Sequence, residues 1–314
     1  MQTLWPALQV RLQQRLGRMR PYQRERWTSP DTDFIEADWQ RMPYPARGLL
    51  VLFHGLEGSS QSHYAHAFAQ SAAQLGLDFV VPHFRGCGGA MNLAPRAYHS
   101  GDHEEIDWIV RRLAAQTSKP LLLLGVSLGG NALMRWAQEH GEHAGRVASV
   151  LASVSAPLDL QASGQAMGRG FNKQVYTRAF LRTMKAKAMQ KLTQFPGLFD
   201  AHALRTVTTL YDFDNLVTAP LHGFRNTEDY WRRASAKPAM DAIRVPTLVV
   251  NSRNDPFVPA ESLPQASRVG HFVTLCQPQL GGHVGFVQGA FPGQWQGMTR
   301  EILGWMMKRA GCDG

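Results

Sequence analysis

The chain has 314 residues, 44% of them hydrophobic and 18% charged, which is enough apolar material for a large buried core and no composition for general disorder. No apolar run approaches the ~20 residues a membrane-spanning helix needs, and Cys87, Cys276 and Cys312 have neither disulfide-framework nor zinc spacing. The formal net charge of +9 is concentrated near the N-terminus and in a mid-chain cluster, with no zinc-finger, helix-turn-helix or RNP-type pattern, so no nucleic-acid partner is expected.

Scattered thiols fit a reducing compartment, and the N-terminus lacks the apolar core and cleavage site of a secretory signal, so a cytoplasmic setting is expected. Residues 1–20 place Leu4, Leu8 and Leu12 near one face, with Arg11, Arg15, Arg18 and Arg20 elsewhere. A helix packed on the core is the commoner outcome of such a pattern. The alternative is an interfacial helix holding the chain peripherally at anionic lipid, on the inner membrane surface. Next, "RERWTSPDTDFIEADWQ" predicts an antiparallel hairpin turning at Ser-Pro-Asp.

Short apolar runs then recur: "ARGLLVLFHG", "LDFVVPHFRG", "PLLLLGVS", "RVASVLASV", "VPTLVVNS" and "GHFVTLCQP". They are apolar on both faces, as expected of strands buried between helix layers in a parallel sheet. Between them "SHYAHAFAQSAAQLG", "HEEIDWIVRRLAAQT" and "NALMRWAQEHG" have helical spacing, the last stopping at its glycine. This alternation predicts an α/β fold, a doubly wound, mostly parallel sheet preceded by the hairpin. Between about 155 and 240 no strong strand occurs, and "FNKQVYTRAFLRTMKAKAMQKLTQF" and "TEDYWRRASA" are helical. The division expected is a core in two parts, 1–154 and 241–314, with residues 155–240 inserted as a helical cap over the ligand-binding edge of the sheet.

"Gly125-Val126-Ser127-Leu128-Gly129" fits GxSxG, and its context is a buried strand before and a helix after. A strand turning sharply into a helix strains the corner residue and crowds its neighbours, so glycine is needed on both sides. Ser127 is therefore the expected nucleophile. A hydroxyl needs a base, and the base needs an orienting carboxylate. Asp255, in the loop after "VPTLVV", and His283, among Gly281, Gly282 and Gly285 after the next strand, supply them in the order Ser…Asp…His. His222 and His99 are the reserve bases. Asp212 and Asp214 lie before the late strand and are expected to hydrogen-bond within the cap. Backbone N–H groups of Leu56 and Leu128 are the expected oxyanion donors, with His54-Gly55 turning the first of these loops. His54 as a metal ligand lacks partners at metal spacing, so neither a metal nor a cofactor is expected.

In the cap, Phe171, Tyr176, Phe180, Leu181 and Met184 fit plain packing better than an acyl channel. Lys173, Arg178, Arg182, Lys185, Lys187 and Lys191 fit a solvated face better than a site for an anionic head group. The expected activity is hydrolysis of small-molecule acyl esters, lipid-like or otherwise, through an acyl-enzyme. A thioesterase or acyltransferase would use the same machinery, and a catalytically silent binding protein would need a broken one. Acyl length, head group and oligomeric state are not readable from the sequence.

Together "HGLEGSSQSHYA", "HFRGCGG", "PRAYHSGD", "GVSLGGN", "LYDFDNLVTAPLHGF", "YWRRAS", "NSRNDPFVP" and "GGHVGF" resemble the YheT-like hydrolases, the AB hydrolase 4 family of the α/β-hydrolase superfamily. The resemblance covers nearly the whole chain and implies the α/β-hydrolase fold, ester hydrolysis and the set Ser127, Asp255 and His283. Members usually have an upstream segment ending in an "HLQT"-like stretch, whereas this chain begins Met1-Gln2-Thr3, and whether such a segment belongs before it is not readable from the sequence.

Overall fold

The computed structural model describes residues 20–285 and 296–312, so the helix expected over residues 1–20 lies outside the described residues but for Arg20. Eight strands form one sheet in the order β1-β2-β4-β3-β5-β6-β7-β8. They are β1 (Gln23–Thr28), β2 (Phe34–Gln40), β3 (Leu49–Phe53), β4 (Asp78–Pro82), β5 (Leu121–Val126), β6 (Val150–Val154), β7 (Thr247–Val250) and β8 (Val273–Cys276). The hairpin β1–β2 pairs antiparallel, with Gln23 opposite Trp39 and Thr28 opposite Phe34, and β2 runs antiparallel to β4. From β4 to β8 every neighbour is parallel.

The four leucines of β5 explain the double-sided apolar pattern. Leu121 and Leu123 enter one core cluster with Ile106, Ile109, Leu133 and Trp136, while Leu122 and Leu124 enter the other with Phe68, Ile302, Leu303 and Met306. Successive side chains point to opposite faces, and burial of each leucine stabilises the fold by roughly 1.5–3 kcal/mol. Helices α1 (His63–Gln74), α2 (His103–Ala114) and α3 (Leu128–Val147) follow β3, β4 and β5 respectively. Thus α2 and α3 cover one face of the sheet. The other is covered by α1 and by the C-terminal helix, which is numbered α8 (Gln296–Arg309) after those of the insertion below.

Two local expectations need correction. Gly141 breaks α3, at φ 45° and ψ −121°, but helical turns resume and run to Val147, because Ala144 still has core to pack against. β8 is not apolar on both faces: Thr274 and Cys276 are exposed, since the strand lies at the open edge of the sheet. At the opposite edge, Arg24 forks onto Asp38 (2.7 and 2.8 Å) and Arg26 reaches Glu36 (3.0 Å), so charges expected only as a basic excess are paired across the hairpin.

Between β6 and β7 the chain is helical: α4 (Leu160–Met167), α5 (Arg178–Gln194), α6 (Ala201–Thr206) and α7 (Thr227–Ala234), with π-helical turns at Lys173–Thr177 and Asp214–Thr218. It has its own small core of Leu181, Ala188, Leu204, Phe213 and Val217. Among the described residues no helix is long and apolar enough to cross a membrane.

After β4 the chain is held by Arg85, which is buried against three carboxylates: Asp31 and Asp33 at its Nη1 (2.7 and 2.8 Å) and Glu105 at its Nε (2.6 Å). Arg85→Met should leave buried Asp33 and Glu105 without their shared cation. The expected cost is about 3–5 kcal/mol, read as a lower urea-denaturation midpoint at unchanged slope.

Candidate active site

Ser127 sits between β5 and α3 at φ 53° and ψ −120°, a conformation rare for a side-chain-bearing residue. Its N–H continues the ladder to Val154 O (2.9 Å), while its C=O accepts the first helical bonds, from Gly130 (2.9 Å) and Asn131 (3.2 Å). The corner tolerates no bulk beside it. A Cβ on Gly125 would lie 2.5 Å from Gly129 O, and one on Gly129 would lie 2.5 Å from His54 O.

The loops after β7 and β8 bring the other two side chains to this corner. His283 Nε2 lies 3.1 Å from Ser127 Oγ, and its Nδ1 lies 2.9 and 3.1 Å from the Asp255 carboxylate oxygens. The carboxylate draws the ring proton to Nδ1, leaving Nε2 as acceptor toward the hydroxyl. Asp255 is fixed in turn by the Phe257 N–H (2.8 Å), and the Phe257 ring packs on the imidazole at 4.2 Å between centroids. Gly282, at φ 61°, lifts the histidine loop, pinned by Asn254 to its N–H (2.9 Å) and by the Ser252 hydroxyl to its C=O (2.9 Å).

Leu128 opens α3 directly after the serine, and Leu56 lies in the loop after β3. Among the described residues neither amide donates to a protein acceptor. The flanking amides are already engaged: Gly55 N–H donates to Tyr64 Oη (2.9 Å) and Glu57 N–H to Tyr98 Oη (2.9 Å). Sequence reasoning missed both tyrosines. Their sole signal was membership in motif stretches, without any spacing rule that ties a phenol to a distant amide.

His54 is buried, donates from Nδ1 to Gly55 O (2.8 Å) and accepts at Nε2 from Phe84 N–H (3.0 Å), which gives both nitrogens to the backbone. Burial pushes its pKa down to about 3, so the ring stays neutral. The reserve bases pair with each other, His99 and His222 at 4.4 Å between centroids, and no contact links either to Ser127 among the described residues.

Two cavities meet at this point. The first holds Ser127 and His283 among Leu160, Met167, Phe180 and Phe257; the second runs toward Arg85, Phe199 and Lys191. Leu56, Leu128, Met184, Asp214 and Tyr230 line both. The cap side chains therefore divide: Phe180 and Met184 face the serine cavity, Leu181 is core, and Phe171 is exposed. The basic cluster also divides, against the expectation of a uniformly solvated face. Lys185 holds the carbonyls of Arg205 and Val207 (2.6 and 3.0 Å), Lys187 pairs with Glu57 (2.8 Å), and buried Lys191 holds the carbonyls of Asn92 and Ala94 (2.6 Å each).

Thr209 caps the short helix Leu210–Phe213, accepting from the Asp212 N–H (3.1 Å) and donating to its carboxylate (2.7 Å), whereas Asp214 is half-buried between the cavities. Burial raises the Asp214 carboxyl to about 6, against the opposing hydrogen bonds from Thr218 Oγ1 (2.7 Å) and Trp231 Nε1 (2.9 Å).

A family model described as alpha/beta hydrolase fold matches residues 48–290. The chain is 37% identical over 313 residues to YheT of Escherichia coli (strain K12), which carries an esterase name, across 98% of this chain and 89% of that one. It is 25% identical over 288 residues to phospholipase ABHD3 of Homo sapiens, across 89% of this chain and 70% of that one. Among solved structures, the Pyrococcus furiosus esterase Pf2001 aligns at a TM-score of 0.58 and 17% identity over 95% of both chains, a likeness of fold alone.

A raised carboxyl pKa means that the folded state holds a proton the unfolded chain has lost. Stability from protonated Asp214 is full below about pH 4 and is lost as pH rises through about 6. In Asp214→Asn, urea midpoints measured from pH 4 to 8 should fall less with rising pH than in the wild type. Identical pH dependence would refute a proton held at this site.

Proposed function

Because the chain belongs to the α/β-hydrolase superfamily, in its YheT-like branch, we propose that it is a serine carboxylic-ester hydrolase working through Ser127, His283 and Asp255. The observation that carries this reading is the unbroken line from Asp255 through His283 Nδ1 and Nε2 to Ser127 Oγ, with no step longer than 3.1 Å.

In this mechanism Ser127 Oγ attacks the ester carbonyl while His283 Nε2 takes its proton. Asp255 holds the ring in the required tautomer and stabilises the imidazolium. The carbonyl oxygen becomes an oxyanion, received by the N–H groups of Leu56 and Leu128. Donors fixed in advance need no reorganisation as charge develops, and each is worth roughly 10²–10³ in rate. The C–O bond then breaks, His283 returns the proton to the departing alcohol, and an acyl-enzyme remains. Water, deprotonated by the same imidazole, releases the acid and restores the serine. The triad, the two amides and water complete the reaction, so this mechanism uses no cofactor.

The cavity at Ser127 favours an apolar acyl group, since Leu160, Met167, Phe180, Leu210 and Phe257 offer contact and few polar partners. Esters of medium-length fatty acids fit this chemistry. The esterase and phospholipase names of the relatives agree with the ester class and leave the head group open. The helical insertion over residues 155–240 acts in this reading as the cap that supplies those walls.

A fluorophosphonate probe should add its mass to Ser127 in the wild type and not in Ser127→Ala. Hydrolysis of p-nitrophenyl esters should be nearly abolished in Ser127→Ala and His283→Ala and cut by about 10³-fold or more in Asp255→Asn. An unlabelled, inactive wild type would favour the silent-binder alternative, and full activity in His283→Ala would overturn the assignment of the base.

A further inference from the structure

We propose that Glu57, Tyr98 and Lys187 form a positioning network that holds the Leu56 amide in place and makes the reaction depend on the seating of helix α5. This deepens the serine-hydrolase reading and rests on it.

The backbone around Leu56 is constrained at both ends. Gly55 N–H is bonded to Tyr64 Oη and Glu57 N–H to Tyr98 Oη, both at 2.9 Å, so of the three amides of Gly55–Glu57 only that of Leu56 has no protein acceptor among the described residues. Glu57 itself stands at φ 55°, in the left-handed region that a side-chain-bearing residue occupies only when its surroundings compel it. Those surroundings are its own side-chain contacts. Glu57 Oε1 accepts from Tyr98 Oη (2.9 Å) and from Lys187 Nζ (2.8 Å). Tyr98 thus accepts from the backbone of Glu57 and donates to its carboxylate, closing a clamp on one residue.

Lys187 comes from a distant part of the chain. It projects from α5 of the insertion, and its ammonium also lies 3.4 Å from Cys87 Sγ. The carboxylate it meets is largely buried, with 9% side-chain exposure, so removing Lys187 leaves Glu57 without a counter-charge. The carboxylate then gains by turning toward water. That turn releases Tyr98 and relaxes the left-handed backbone, which shifts the peptide preceding it. Because Leu56 N–H belongs to the neighbouring residue, a change at Lys187 reaches the oxyanion position without any contact between Lys187 and the reacting atoms. An exposed ion pair on a distant loop could not do this.

The test uses the full chain and a short soluble ester, p-nitrophenyl butyrate, with butylboronic acid as a mimic of the tetrahedral intermediate. Lys187→Met and Glu57→Gln should each lower kcat by roughly 10–100-fold, less than outright loss of a donor, with KM changed under about twofold. The boronate Ki should rise by the same factor as kcat falls. The double variant should be no worse than the weaker single one, and Lys187→Arg should recover most of the rate. Lys185→Met, on the same helix but bonded among the described residues to carbonyls of the insertion itself, should match the wild type and so separates positioning from general loosening of the insertion.

Unchanged kcat in Lys187→Met and Glu57→Gln beside an active wild type would overturn this proposal alone. So would an equal loss in Lys185→Met, or an unmoved boronate Ki. An inactive, unlabelled wild type would remove the hydrolase reading and this network with it. If Glu57→Gln fails to fold, Lys187→Met and Tyr98→Phe, checked by thermal unfolding, carry the same comparison.

Discussion

The close approach of α3 to the ends of β3 and β5 is the constraint from which the rest follows. Gly125 and Gly129 allow helix and strands to meet where a methyl group would overlap backbone atoms. Only at that separation can Ser127 stand at the junction with its N–H still in the sheet and its C=O already in the helix. The helix N-terminus then lies directly behind the hydroxyl, where its dipole favours negative charge. Strain at one residue is accepted because two elements, each stabilised by extensive burial, meet there.

Around this fixed corner the other groups arrive on loops, and each loop is tied by polar contacts of its own. Asn254 and Ser252 hold Gly282, Phe257 holds Asp255 and packs on His283, and two phenols hold the residues on either side of Leu56. The sheet supplies the positions and the loop contacts supply the angles. This division suits a site in which a displacement of about 1 Å costs orders of magnitude in rate.

What could be read from the sequence was whatever depends on local pattern. Runs such as Leu121–Leu124 identify strands because burial on both faces leaves no polar position. The exception, β8, is a strand whose apolar letters do not reveal that it lies at an edge. Ser127, Asp255 and His283 were legible because chain order and flanking glycines carry the information, and the structure brings the three together. The insertion was much less legible. Phe180, Leu181 and Met184 have the same hydrophobic character, yet two face a cavity and one faces core. Lys185, Lys187 and Lys191 look alike in a basic tract but serve a helix end, a buried carboxylate and a loop. Such roles depend on which distant segment lies opposite, and helical periodicity does not encode that.

The wall shared by the two cavities has an evolutionary corollary. Leu56, Leu128, Met184, Asp214 and Tyr230 each face both chambers, so a change that reshapes one reshapes the other. Selection for a larger occupant of the first chamber would be felt in the room left for whatever occupies the second. Independent tuning is open only at residues facing a single side, such as Phe180 and Phe257 on one and Phe199 and Met91 on the other. Divergence within such a lineage should therefore concentrate at these one-sided positions, with the common partition changing rarely and in compensated pairs.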